Sequence, residues 1–372
     1  MRSHPSACPK TSGGPAVTVG GPTTRSATTD LVRLLPQAQN LVLPRIRQSL
    51  EGLEEPVRGM ALYHFGWRDE QGRPSAFAGR ARSLLCPLLS ATVDGGSWER
   101  ARDAAAAWYV MSGSFLIHDD VVDADRVRRG RLALWAQYGA PEAILTGDAL
   151  LSAAFEILAE HSTHATVDAV RMLAGTACEV ACGQILDVAA ERRVEISSAT
   201  ALNTTVAKTC SYLRCGAYLG ALYAQTNPDQ VGAMADFGHH LGMIVQLSDD
   251  LADIWGDPDE AGIPARTDIV ARKKTLPVVA ALSSQRPERS ELAQYYETTH
   301  TPDQDELQHL ADLLDRCGGR AWCQQRMQDE VTAAHDCLDR AAAHPQARQN
   351  LADYALLLTH SSLASSAPAN QS

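Results

Sequence analysis

The sequence predicts an all-α chain, a single large helical bundle around a central apolar cavity, and three observations carry that prediction. Apolar residues recur at three-to-four spacing along almost everything from Trp98 onward. Few windows alternate β-branched residues, so strands are not expected. The helical segments are long and densely apolar, with 45% of all residues hydrophobic, which suits helices that enclose a cavity.

Taken in order, residues 1–29 are rich in Pro, Gly, Ser and Thr and are expected to form a disordered tail. Asp30 reads as the N-cap of a first amphipathic helix over 31–53, interrupted by Pro36 and Pro44. Residues 63–74 are turn-rich, and Arg80 and Arg82 precede a short apolar helix. Helices are then expected at 98–118, 141–161, 164–190, 198–224, 228–255, 268–284, 304–315, 319–342 and 347–360, with a frayed tail at 361–372. The helical domain is thus expected to span 30–360, without the internal repeat of roughly 20–50 residues that marks a solenoid.

Charged residues at 21% and a net charge of −11 describe an acidic chain. Without a basic stripe interleaved with aromatics, nucleic-acid binding is excluded, although a local basic pocket can still hold an anion. No apolar run reaches the roughly 18–20 residues of a membrane span, and the N-terminus lacks a signal-peptide core. A cytoplasmic protein is expected. Nine scattered cysteines, odd in number, fit reduced thiols. Cys178 and Cys182 lie four apart with no matching pair for zinc, as do Cys317 and Cys323 less closely, and all nine are read as structural filler.

The chemistry concentrates in residues 114–135, SFLIHDDVVDADRVRRGRLALW. Asp119, Asp120 and Asp123 form a D-D-x-x-D pattern, and on a helix Asp119 and Asp123 share a face. Carboxylates crowded in this way call for a cation, and hard cations such as Mg²⁺ take one or two carboxylates plus substrate phosphates. Arg128, Arg129 and Arg131 follow, suited to grip phosphate oxygens. A solvated helix end laced with ion pairs has the same composition. Against that, the cluster directly follows the apolar run Phe115-Leu116-Ile117.

The pattern returns in QLSDDLADIWGD as Asp249, Asp250 and Asp253, 130 residues later. Each cluster ends a long apolar helix, and in an antiparallel bundle two such ends meet across one cavity mouth. Six carboxylates there can hold several Mg²⁺ ions and, through them, one diphosphate. Gln184 and Asp187, Lys208 and Thr209, and Lys273 and Lys274 are further candidates, each unremarkable taken singly. If the substrate is allylic, Mg²⁺ and basic groups neutralise the departing diphosphate while the apolar interior shields the carbocation from water.

With these residues the chain resembles the trans-prenyl diphosphate synthases, the polyprenyl synthetase family, over about residues 30–360. HDDVVDADRVRRGRLALW, GDALL at 147–151, GQILD at 183–187, Lys208-Thr209 and QLSDDLADIWGD carry the resemblance. It implies an all-α bundle, usually a homodimer, that uses Mg²⁺ to ionise an allylic prenyl diphosphate. Carried over by position, Asp119, Asp120, Asp123, Asp249, Asp250 and Asp253 would bind metal. Arg128, Lys208, Gln184 and Lys273 would contact the allylic diphosphate, Arg129 the isopentenyl diphosphate, and Arg82, Thr209 and Gln246 the substrate more generally.

The departures from the family pattern cluster on the isopentenyl side. Gly79 stands where the family has Lys, Ser112 where it has His, Ile263 in place of a further Lys and Val245 in place of Phe, with Arg80 beside Gly79 as a substitute. Losing two charge-assisted contacts, at ~1.5–3 kcal/mol each, would weaken isopentenyl diphosphate binding by two or more orders of magnitude. Three readings follow. The first is an elongating synthase with an adapted C5 pocket, giving a C15–C20 prenyl diphosphate. The second is a class I terpene synthase that ionises a prenyl diphosphate alone. The third is a non-catalytic subunit, against which two complete aspartate motifs count. Phe115, Met111 and Trp108, one to three turns before Asp119, are the expected cavity floor. With 5% aromatics, few rings are available to stabilise a travelling cation.

Overall fold

The computed structural model describes residues 31–359 except 76–80, 161–162, 164, 192, 194–195, 257–265 and 342. The expectations for the two tails, for Asp30 as an N-cap, and for Gly79, Arg80 and Ile263 lie outside the described residues. The chain enters through α1 (Leu35–Glu51) and α2 (Val57–His64), then α3 (Leu85–Ser90). The long helices follow: α4 (Arg102–Val122), α6 (Ala140–Ala159) after the short α5 (Leu134–Tyr138), and α7 (Thr166–Glu191). Next come α8 (Ser198–Thr205), α9 (Ser211–Tyr223) and α10 (Pro228–Trp255). The C-terminal third holds α11 (Thr267–Val270), α12 (Leu276–Leu282), α13 (Arg289–Glu297), α14 (Gln304–Arg316), α15 (Gly319–Arg340) and α16 (Pro345–Leu358).

The starts of several helices are written in local chemistry. Ser197 caps α8 by accepting from Thr200 N, and Asn227 caps α10 by accepting from Gln230 N, with Pro228 at the first helical position. Asp303 and Glu306 form a reciprocal capping box on α14. Small residues let the central helices approach: Ala104 to Ala107 on α4 are all fully buried. One continuous apolar core joins α1–α4, α6, α9 and α10. A second lies beneath α11–α14, and a third, with Met243, Leu247, Leu276 and Met327, underlies the end of α10.

Several expectations need correction. Pro44 sits inside α1, which continues through it; a proline removes only one helical hydrogen bond when its neighbours hold the helix in place. Helices at 57–64 and 289–297 were not among those expected, and the first takes in Tyr63 and His64 of the turn-rich stretch. The expected helix over 268–284 is broken into α11 and α12, leaving Lys273 and Lys274 in the connection. A hairpin does occur: Val127–Arg128 (β1) pairs antiparallel with Arg131–Leu132 (β2). Its two-residue turn, Arg129-Gly130, has φ of 54° and 73°, the left-handed pair that a tight hairpin demands.

Helix α7 also departs from the reading. Over Thr166–Ala190 it is long and apolar enough, at mean hydropathy 1.3, to cross a membrane by length and composition, whereas no such run was expected. Ala169, Leu173 and Val180 pack inward, while Val167 and Ile185 are about two-thirds exposed. Cys178 and Cys182 lie on its exposed surface, so they do not fill the core as the six buried cysteines Cys86, Cys210, Cys215, Cys317, Cys323 and Cys337 do.

Candidate active site

The two aspartate clusters end α4 and α10, as their sequence context requires, but their side chains are used differently. Asp120 is 1% exposed and accepts from Arg128 Nε at 2.5 Å. Burial raises its pKa to about 7 against the pull of Arg128. Asp119, whose Oδ2 also lies 3.7 Å from Arg128 Nη2, and Asp123 meet lysines. Lys208 Nζ lies 3.1 Å from Asp119 Oδ1 and 2.9 Å from Asp187 Oδ2. Asp123 accepts from Gln184 Nε2 and Lys273 Nζ, both at 3.1 Å. Burial works against the charge on Lys208 and Lys273, but the surrounding aspartates outweigh it and hold both amines above their ordinary pKa.

In the second cluster, Asp250 is 2% exposed and accepts from Gln246 Nε2 at 2.8 Å and from Leu276 N at 3.0 Å. Burial pushes its pKa up to about 8. Thr209 donates to Gln246 Oε1 at 2.8 Å and extends this relay to α9's approach. Asp253 accepts from Thr267 N, Thr267 Oγ1 and Asp268 N at 2.7–3.1 Å, which makes it the cap of α11. Asp249 stays partly exposed. Beside the second cluster lies a cavity of about 180 Å³ lined by Asp187, Lys208, Gln246, Asp250, Asp268 and Lys273, among others.

Lys208 reaches this cavity because of a local irregularity. Residues Val206–Cys210 form a π-helical turn between α8 and α9, and the additional residue rotates Lys208 and Thr209 towards α4 and α10. Glycines admit the bulge. A Cβ at Gly183 on α7 would sit 2.5 Å from Lys208 N, and one at Gly242 on α10 would sit 2.4 Å from Cys210 Cα.

The donor set suits a hard divalent cation. Asp119 and Asp123 present carboxylate oxygens on one face, and Asp119 Oδ1 is buried with no well-formed hydrogen bond, only its ion pair to Lys208. Among the described residues, no three acidic, histidine or cysteine side chains converge on one point. Phosphate oxygens and water must supply the remaining ligands, as is usual for Mg²⁺.

Sequence reading also proposed groups that lie apart from this cavity. Arg129 lies at the hairpin tip, where its charge acts to lower the pKa of both His64 and Tyr109. Arg82 precedes α3, where Tyr354 donates to its carbonyl. Trp108 and Met111 have no exposed surface; only Phe115 of the expected floor is partly exposed. Two groups went unnoticed. Asp268, raised to about 7 by burial and Asp253, adds a carboxylate to the cavity. Tyr212 stacks on Trp108 at 4.1 Å and meets Phe115 edge-on at 6.4 Å. Its spacing of four from Lys208 was the available signal.

Comparison with known proteins agrees with this arrangement. The Polyprenyl synthetase family model matches residues 76–314. The chain is 33% identical over 322 residues to a (2E,6E)-farnesyl diphosphate synthase of Mycobacterium tuberculosis, covering 86% of this chain and 90% of that one. It is also 33% identical to a geranylgeranyl diphosphate synthase of the same organism, over 84% of this chain and 90% of that protein. A crystal structure of a polyprenyl synthetase from Streptomyces coelicolor A3(2) superimposes with a TM-score of 0.85 at 32% identity, covering 88% of this chain and 99% of that one. The chain belongs to the polyprenyl synthetase family.

Proposed function

We propose that the protein is a Mg²⁺-dependent prenyltransferase that condenses an allylic prenyl diphosphate with isopentenyl diphosphate to give a C15–C20 prenyl diphosphate. The observation that carries this reading is the face formed by Asp119 and Asp123, bridged by Lys208 and Lys273. Asp119, Asp123 and Asp249 would hold Mg²⁺, which when bound supplies Lewis-acid neutralisation of the diphosphate.

The chain's own residues do the rest. Lys208, Lys273 and Arg128 lie where negative charge grows as the bond from C1 to the diphosphate oxygen breaks. The π electrons of the isopentenyl double bond then form the new carbon–carbon bond at C1. A C2 proton leaves to a diphosphate oxygen and restores a double bond. Phe115, Tyr212 and the apolar helices below keep water from the cation, favouring the alkene as its captor.

The deciding experiment is incubation with Mg²⁺ and geranyl, farnesyl or geranylgeranyl diphosphate, with and without isopentenyl diphosphate. Longer diphosphates that form only with the C5 unit support condensation. Hydrocarbons or alcohols formed without it would replace this reading with that of a terpene synthase.

A second copy of the chain is the proposed partner, covering Ile144 and Leu145 of α6 with Val167, Ile185 and Leu186 of α7, all exposed. Light scattering should return a dimer mass, and Ile185→Asp should lower it; a monomer at all concentrations contradicts the pairing.

A further inference from the structure

Three consecutive cations, Arg272, Lys273 and Lys274, occupy the connection between α11 and α12, and they are used differently. Lys273 reaches the first aspartate cluster, its Nζ 3.1 Å from Asp123 Oδ2. Its two neighbours lie against α13 instead. The Arg272 guanidinium sits over the Tyr295 ring at 4.6 Å, and the Lys274 ammonium over the Tyr296 ring at 5.6 Å. Both distances fall inside the ~6 Å range in which a cation is attracted to the face of a ring.

The backbone shows why Arg272 needs holding. Its φ is 54°, in the left-handed region that a residue with a Cβ enters only at a cost. This is the turn that ends α11: Arg272 N donates to Ile269 O at 3.0 Å, and Lys273 N donates to Asp268 O at 2.9 Å. The conformation at 272 therefore sets the direction in which Lys273 leaves the backbone. Two contacts favour that conformation, the Tyr295 ring and the carbonyl of His300, to which Arg272 Nη2 donates.

Tyr295 grips the same turn a second time. Its hydroxyl donates to Ile269 O at 2.9 Å, the carbonyl that also accepts from Arg272 N. The helix that carries it is a firm platform. Tyr296 is 5% exposed and, with Leu292 of the same helix, packs in the second core beside Ile269, Leu307 and Leu310. The segment is thus fastened at both ends, by Asp253 of α10 through Thr267 and Asp268, and by α13 through Ile269 and Arg272. Neither tyrosine lines the cavity, so what Tyr295 does there it does through Lys273.

We propose that Tyr295 is a positioning residue for the reaction, holding Arg272 in its left-handed turn so that Lys273 meets the diphosphate. This rests on the reading above for the diphosphate role of Lys273, so the test is binding and not turnover: titration calorimetry of the full chain with inorganic diphosphate and excess Mg²⁺. Tyr295→Leu should weaken diphosphate about tenfold, the loss of one charge-assisted contact. Tyr295→Phe keeps the ring under Arg272, loses only the bond to Ile269 O, and should weaken it less than about threefold. Arg272→Ala, at a half-buried position, should match Tyr295→Leu and decides the matter if that variant fails to fold. In a Lys273→Ala chain, where the contact is already gone, neither change should weaken binding further, whereas general damage to the fold would add its full effect. Wild-type affinity in Tyr295→Leu and Arg272→Ala, or an equal loss with and without Lys273, overturns the proposal. If the wild type forms no longer diphosphate while Tyr295→Leu still loses its tenfold, the condensation reading falls and the positioning role stands.

Discussion

With divalent metal chelated, the protein should lose stability as pH rises from about 6.5 to about 8. Burial pushes Asp250 up to about 8, and the Cys337 thiol and Glu330 carboxylate, in contact with His240, raise that imidazole to about 9. Each group binds its proton more tightly folded than unfolded. Its stabilisation is therefore complete below the unfolded pKa and is lost as pH climbs through the folded one. His64, His239 and His335 are shifted down instead, so their opposing effect is largely spent above about 6.5. At 1.36 kcal/mol per pKa unit, Asp250 and His240 each contribute about 1.5 kcal/mol over this window, together about 3 kcal/mol. Unfolding entropy for a chain of this size, about 0.7 kcal/mol per degree, converts that to a fall of about 4 °C in Tm. Glu330→Gln removes one of the two groups that raise His240 and should lessen the fall. Scanning calorimetry in chelator decides the matter. A Tm that stays level or rises across this range would mean that Asp250 and His240 do not hold their protons more tightly in the folded chain.

Further outcomes follow from single side chains. Asp119→Asn should cut kcat at least about 100-fold, the equivalent of about 3 kcal/mol of lost charge stabilisation; a rate within tenfold of wild type counts against the metal face. Gly183→Ala must push the π turn away from α7 and should cost about 1–3 kcal/mol in denaturant melts, with kcat falling because Lys208 moves. Tyr212→Ala, alone or with Phe115→Ala, removes the rings one turn below Lys208 and Asp119 and should lengthen the product by at least one C5 unit on chromatography. An unchanged product would place the floor elsewhere.

The long helices were legible because burial imposes a 3.6-residue period that survives in α4, α6, α7, α10 and α15. Both aspartate clusters were legible because each interrupts such a period at its end. Three features were not. The π turn at 206–210 adds one residue to a helix without any change in composition, and only the glycines opposite it, Gly183 and Gly242, hint at close approach. The hairpin at 127–132 has two-residue strands, too short for alternation to register, although Arg129-Gly130 is a tight-turn pair. Whether Trp108 faces a cavity or the core depends on α9, whose Tyr212 covers it from 104 residues away in sequence. Pairings at that distance leave no local trace.

The two D-D-x-x-D motifs are identical in pattern and unequal in use. Asp119 and Asp123 are paired with lysine ammonium groups on flexible stems, which can swing from the carboxylates to a diphosphate when metal arrives. Asp250 and Asp253 are bound by backbone N–H groups of Leu276, Thr267 and Asp268, which cannot move without unravelling 266–276. The second motif therefore spends two of its carboxylates on the segment that carries Lys273. Asp253→Asn tests this division. Its oxygen can still accept from Thr267, but its amide would face Asp268 N, donor against donor. The segment should shift and carry Lys273 off Asp123, raising the allylic KM about tenfold, the loss of one charge-assisted contact. The Mg²⁺ concentration for half-maximal rate should barely change. A large rise in that concentration with the allylic KM intact would make Asp253 a metal ligand after all.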